Sequence, residues 1–304
     1  MRTPRLLLLA VSAALALSAC ARHTTADSGS PVDRPLASAT PSVAPSVAPS
    51  VDPTAPVPPS ASPTSPPSAS PTSPPGATRA GLRPPVVTNG PRTGNKVALT
   101  FDADMTDSML YNLTSGRVPS YANLKIIETL ESRQLPATFF LTGKWAERYP
   151  DVTRRLAANP LFELGNHTYK HESFTPHCYH LPQIPPNRMT EDVAHTFRVI
   201  EPFGGHQTRY FRFPGGCYDD AALQALAPLG ITVIQWDVVS GDPFATAAAP
   251  IVHAVLSQVR PGSIVVLHVT EGNAQFTDEA LPPILDGLRA RGLQPVTLSE
   301  LLGH

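Results

Sequence analysis

Cysteine is scarce in this sequence: the three residues among 304 are Cys20, Cys178 and Cys217. A fold held by several disulfides is therefore excluded. A basic excess is missing as well. Lysine and arginine number 23 against 24 acidic residues, a formal net charge of -1, which argues against a nucleic-acid binder. That balance identifies no other partner. A long apolar run is also lacking, because the stretch at 6–16 is too short for a membrane-spanning helix.

The beginning of the chain has the order of an export signal. Met1-Arg2-Thr3-Pro4-Arg5 is basic, 6–16 is apolar, and Leu17-Ser18-Ala19-Cys20 closes the segment with small residues. That close resembles a bacterial lipobox, in which Cys20 becomes the lipidated first residue. The expectation is a lipoprotein anchored at the outer face of the membrane, beside the cell wall. The alternative is a cleaved, freely secreted protein in which Cys20 is incidental. Residues 21–85 are Ser, Pro, Ala, Thr and Val with near-repeats such as Pro-Ser-Val-Ala. Large apolar residues are too few there to offset ordering entropy, so a disordered, semi-rigid stalk is expected.

Residues 86–304 suffice for one domain with a substantial core, and a monomer is expected. If Cys20 is lipidated, Cys178 and Cys217 remain as an even pair in an oxidising compartment. A disulfide and two buried free thiols are both open. Strand-like runs at 96–101, 137–141, 162–164, 209–213, 231–238, 263–268 and 294–297 alternate with helical patterns. The helices are at 121–133, 145–158, 190–201, 219–226, 246–259 and 278–290. This alternation predicts an α/β fold with a parallel sheet, open or closed as a barrel.

In either architecture the site lies at the carboxyl ends of the strands. Those ends carry Asp102 and Asp104, His167 and His171, Arg212, Asp237 and Asp242, and His268. His167 and His171 are four apart; on a helix they would share a face and reach one metal ion. Taken singly, each residue has a structural role open to it: an aspartate as a cap, Arg212 in an ion pair, His268 at a strand end. Together they suggest one solvent-accessible cleft, since buried charges need partners.

These residues resemble the polysaccharide deacetylases of carbohydrate esterase family four, also called the NodB-homology domain, across nearly the whole of 86–304. Thr100-Phe101-Asp102-Ala103-Asp104 stands where the family has Thr-Phe-Asp-Asp-Gly. His167-Thr168-Tyr169-Lys170-His171 matches His-Ser/Thr-x-x-His, and Arg212-Phe213-Pro214-Gly215-Gly216 matches Arg-x-Pro-x-Gly. The fourth motif, Asp-x-x-Asp-Trp, survives in part within Trp236-Asp237-Val238-Val239-Ser240-Gly241-Asp242-Pro243, and Val266-Leu267-His268 matches Leu-x-His.

The resemblance implies a distorted, incomplete (β/α) barrel of about seven parallel strands and a metal-dependent hydrolase. It implies Asp102 as general base, oriented by Arg212, and His167 and His171 as metal ligands. Ala103 occupies the usual third-ligand position, so Asp104 is assigned as its replacement. The metal is expected to be zinc, with cobalt, nickel or manganese as alternatives. His268 becomes the acid, and Gly215, Pro214, Asp237 and Asp242 are assigned to oxyanion or substrate contacts. Val239 replaces an aspartate that tunes the acid, a task for which Asp237 is the substitute. Pro243 replaces the tryptophan of the acetyl pocket. A Cys178–Cys217 bridge would tie 172–189, the expected cleft wall, to the Gly215 loop. The expected substrate is an extracellular polysaccharide bearing N-acetylglucosamine or N-acetylmuramic acid. An O-acetyl xylan esterase and a wall-binding lipoprotein without catalysis are the alternatives.

Overall fold

A computed structural model describes residues 83–303. The expected export signal, Cys20 and nearly all of the stalk lie outside the described residues. Among the described residues, no helix is long and apolar enough to cross a membrane.

The sheet has nine strands, all paired in parallel. They are β1 (Val86–Val87), β2 (Lys96–Ala103), β3 (Ala137–Leu141), β4 (Phe162–Asn166), β5 (Gln207–Phe211), β6 (Thr232–Ile234), β7 (Val238–Val239), β8 (Ile264–His268) and β9 (Gln294–Val296). Their order is β1-β6-β5-β4-β3-β2-β8-β7, with β9 also on β2. The count exceeds seven because the run at 231–238 divides into β6 and β7 and because Val86–Val87 adds an edge. That division reveals the curvature. In a flat sheet, β6 and β7 would lie six spacings apart, about 29 Å. Only Gln235, Trp236 and Asp237 connect them, and the span from Ile234 to Val238 reaches at most about 14 Å. The sheet must therefore curl into a nearly closed barrel whose seam this short segment crosses.

Strand alternation separates the helix-facing core from a core inside the barrel. On β2, Val97, Leu99, Phe101 and Ala103 face the helices, packing with Phe139, Phe162 and Leu267. Ala98 instead joins Phe140, Tyr210, Ile234, Ile264 and Val296 in a second cluster inside the barrel. Gly165 is required by this interior, since a Cβ there would meet the Phe140 ring at 2.8 Å.

Six helices follow the sequence expectation: α2 (Leu124–Ser132), α4 (Pro150–Ala158), α5 (Met189–Ile200), α6 (Asp220–Leu226), α7 (Ala248–Gln258) and α8 (Thr277–Ala290). Asp219 caps α6 by accepting from the Ala222 N–H. The helix expected at 145–158 is two helices, α3 (Gly143–Arg148) and α4, because Pro150 cannot continue the first and starts the second. The sequence reading omitted α1 (Asp107–Thr114) and α9 (Leu298–Leu302). The latter closes the bottom of the barrel with Leu298 and Leu301.

Candidate active site

The alternation of β2 sets the first two acids. Asp102 faces the barrel interior, Ala103 faces the helices, and Asp104 returns to the interior side. An alanine between two aspartates thus keeps both carboxylates in one cleft. Asp104 is reached by continued alternation, and its N–H donates to the Thr270 hydroxyl at 3.0 Å.

No helix carries His167 and His171. The chain leaves β4 and turns through positive φ at Thr168 (68°) and His171 (60°). The Thr168 N–H donates to the Asn166 side chain, and the His171 N–H donates to the Thr168 hydroxyl. Asp192 of α5 accepts from the Tyr169 N–H and holds the middle of the turn. The rings end with centroids 4.9 Å apart. The four-residue spacing therefore serves a loop, whose side-chain hydrogen bonds replace a helical ladder.

Asp104, His167 and His171 are buried and bring one ligand atom each to within 4.8 Å of one another. Asp104 Oδ1 lies 3.5 Å from His167 Nε2 and 3.4 Å from His171 Nε2. His167 Nδ1 is 2.9 Å from the Arg212 carbonyl, which accepts its proton and turns the Nε2 lone pair inward. Asp104 Oδ1 and His167 Nε2 are both buried without a hydrogen-bond partner. Two orphaned acceptors aimed at one point fit a divalent cation. Protonation fits too. Burial opposes the charge of Asp104, but His171, His167 and His268 hold its pKa well below the usual carboxylate range. Burial pushes His171 down to about 4, leaving a neutral imidazole.

Asp102 stands beside this group, with Oδ2 3.7 Å from His167 Nε2. Its Oδ1 accepts from Arg212 Nη1 at 2.7 Å. Arg212 is completely buried, donates from Nε to the Ile234 carbonyl, and lies over the Phe140 ring at 4.1 Å. Across the cleft, His268 Nε2 is 3.9 Å from Asp104 Oδ2, and Nδ1 is 2.9 Å from Asp242 Oδ1. Burial disfavours the imidazolium, but the charge and hydrogen bond of Asp242 push its pKa up to about 10.

Two assignments change. Asp237 does not substitute for the aspartate that tunes His268. It precedes β7 and meets the start of β8, accepting from the Ile264 N–H, the Ser263 hydroxyl and Arg92. His268 is four residues farther along that strand, about 13 Å away. Asp237 therefore rivets the barrel seam. The partner of His268 is Asp242, buried in the cleft wall and also accepting from Ser240 and Thr277; these bonds let it orient the imidazole. Ser240, Thr270 and Thr277 were not singled out from sequence, as no motif marks them.

Gly215 lines the cleft with φ 61°, while Pro214 is buried behind it. Cys178 and Cys217 form the disulfide, with Cα atoms 5.9 Å apart. The segment after His171 does wall the cleft, through Tyr179, His180, Leu181 and Pro182. The space enclosed is about 670 Å³.

A family model for polysaccharide deacetylases matches residues 89–234. A chitooligosaccharide deacetylase of Sinorhizobium fredii is 30% identical over 215 residues, covering 66% of this chain and 91% of that protein. The chain belongs to the polysaccharide deacetylase family. It is a hydrolase with the curled, parallel barrel sheet of that family. The crystal structure of a peptidoglycan N-acetylglucosamine deacetylase superposes with TM-score 0.59 and 26% identity, over 72% of this chain and 92% of its own. A family 4 acetyl xylan esterase from Clostridium thermocellum, solved with a cobalt ion, gives TM-score 0.54 and 26% identity, over 68% of this chain and 89% of its own.

Proposed function

We propose that this polysaccharide deacetylase removes acetyl groups from the N-acetylated sugars of a polysaccharide outside the cytoplasm, either peptidoglycan or a chitin-like glycan. The observation that carries the reading is the pairing of opposite proton-transfer groups around one metal-binding set. Asp102 stands on one side of Asp104, His167 and His171, and His268 on the other. The likeness to a peptidoglycan deacetylase supports the choice of polymer. An anchor at Cys20 and a stalk over 21–85 would hold the catalytic domain, 86–304, beside that polymer.

Asp104, His167 and His171 would hold the ion, zinc in the first instance. Such an ion supplies Lewis acidity toward a carbonyl oxygen and makes water more acidic. Asp102 takes the proton of the attacking water on Oδ2, because Oδ1 is committed to Arg212. The new C–O bond forms at the acetyl carbon, and the Gly215 backbone N–H helps hold the oxygen that gains charge. His268 gives its Nε2 proton to the nitrogen as the C–N bond breaks. Acetate and a free amine leave. An amine is a poor leaving group unless protonated, so a dedicated acid suits an N-acetyl substrate. Asp242 keeps that acid charged and aimed.

The likeness to an acetyl xylan esterase favours a second reading, O-acetyl ester hydrolysis by the same residues. Acetate release from N-acetylglucosamine oligomers and from acetylated xylan decides between them, with chelator and restored zinc or cobalt as controls. Metal-dependent release from the oligomers supports the deacetylase; release from xylan alone supports the esterase. Silence on both, with metal bound, would point to a narrower natural substrate or to a wall-binding protein.

A further inference from the structure

Six large apolar side chains are exposed among the described residues, and three of them, Tyr179, Val239 and Phe244, line the catalytic cleft. Scattered single residues of this kind need no explanation, but apolar surface gathered at one cleft does. Tyr179 is 66% exposed and Phe244 74%. Their rings lie nearly parallel, with centroids 5.9 Å apart and 27° between planes. They reach this position from separate segments, Tyr179 from the wall after His171 and Phe244 from the loop two residues beyond Asp242. Val239 stands where related sequences carry an acid, so the departure adds apolar surface to the same lip.

The mounting of Tyr179 shows that its exposure is imposed by the fold. Its backbone has φ 53°, a region that non-glycine residues seldom occupy. Cys178, its neighbour, is bridged to Cys217. The ring comes down over Gly215, where a Cβ would meet it at 3.0 Å. A covalent tie thus holds an aromatic ring in a disfavoured conformation above the residue assigned to the oxyanion. Phe244 is held in turn, since the Asp242 before it is fixed by His268, Ser240 and Thr277.

We propose that Tyr179 and Phe244, extended by Val239, form a stacking ledge for the C–H face of a pyranose ring adjoining the unit that is deacetylated. Flat apolar rings beside the charged groups at the cleft floor match a sugar ring, which carries an apolar face and a hydroxylated edge. The cleft, at about 670 Å³, is also larger than one acetamido group needs. Both aromatics are positioning residues: they place the polymer and take no part in proton transfer. The ledge rests on the reading of the site as one that acts on a glycan.

Its test is chain-length dependence in the full-length, zinc-loaded protein, using N-acetylglucosamine and its tetramer. For the wild type, kcat/KM should rise with length, and calorimetry should show tighter binding of the tetramer. Tyr179→Ala and Phe244→Ala should each shrink that advantage about three- to tenfold, through KM rather than kcat. Tyr179→Phe and Phe244→Tyr should retain it, which a merely structural disturbance would not predict. If the wild type binds the tetramer without releasing acetate, and both alanine variants weaken binding, the ledge stands and the deacetylase reading fails. If acetate is released and both alanine variants keep the full length advantage and affinity, the ledge is overturned and the deacetylase stands. A wild type that neither binds nor cleaves the tetramer overturns both.

Discussion

Asp242 accepts two hydrogen bonds from one residue, His268: the backbone N–H at 2.7 Å and Nδ1 at 2.9 Å. One carboxylate thereby fixes both the position of the strand end and the direction of the ring. Ser240 and Thr277 each donate to it at 2.7 Å, so the buried acid is fully partnered. Nε2 is left as the only nitrogen of His268 facing the cleft.

The first prediction concerns this pair. In metal-free protein, the His268 pKa stands near 10, above its ordinary value of 6.5. A raised folded-state pKa means that protonation stabilises the fold. That contribution is complete below about pH 6.5 and disappears as pH rises through about 10. NMR titration of the imidazole carbons should show one high-pH transition. Asp242→Asn should move it well down, because burial is then opposed only by the more distant charges of Asp104 and Asp102. It should also lower kcat about a hundredfold or more. An unmoved transition would exclude Asp242 as the controlling partner.

The metal set makes a separate prediction. Zinc at 100 times its dissociation constant should stabilise the wild type by about 2.7 kcal/mol. Asp104→Ala and His171→Ala should abolish most of that gain in a thermal melt, whatever their activity. Ala103→Asp should not rescue Asp104→Ala, since residue 103 points into the helix-facing core with Phe101 and Leu267. Restored zinc binding in the double variant would contradict the β2 alternation described above.

Much of this centre is legible in the sequence, because catalytic groups sit at strand ends and strands announce themselves as β-rich runs. Strand β3 matches its expected bounds, and Asp102, Asp104, His167, His171, Arg212 and His268 do converge. The failures have local causes. Ile231 to Val238 reads as one strand, and only the seam crossing shows that Gln235, Trp236 and Asp237 are a connection. Asp237 therefore lies at the start of β8 and not at the carboxyl end of a strand. Helix α1 carried a usable signal, since Thr106 caps it by accepting from the Met109 N–H. The positive-φ turn from His167 to His171 depends on Asn166, Thr168 and Asp192, and the first motif residues give no hint of the last.

Arg212 and Asp102 should separate stability from catalysis. Asp102→Asn keeps the shape of the site and an acceptor for Arg212 but removes its counter-charge, so it should cost less stability than loss of Arg212 and keep zinc binding while kcat falls about 10²- to 10⁴-fold. Arg212→Ala removes a completely buried guanidinium from Asp102 and from the Phe140 ring. That should cost roughly 3–5 kcal/mol in denaturant unfolding, since a buried carboxylate loses its partner. Equal stability losses in the two variants would refute this division.

At the opposite end of the barrel, Glu163 is completely buried yet has no place in the chemistry. Its Oε2 accepts from the Thr138 hydroxyl at 3.0 Å and from the Ser299 N–H at 3.2 Å. The Thr138 oxygen in turn accepts from the Leu298 N–H at 3.1 Å. Two otherwise unmet N–H groups at the start of α9 are thus satisfied by side chains of β3 and β4. This network seats Leu298 and Leu301 in the barrel floor. Glu163→Ala should leave those donors unmet and cost roughly 3 kcal/mol of unfolding free energy. Amide exchange should rise first in α9, while the thermal gain on adding zinc should remain, because the metal set lies at the other end of the strands. Loss of zinc stabilisation in parallel with stability would show instead that floor and site are coupled through β4, the strand that carries both Glu163 and the approach to His167.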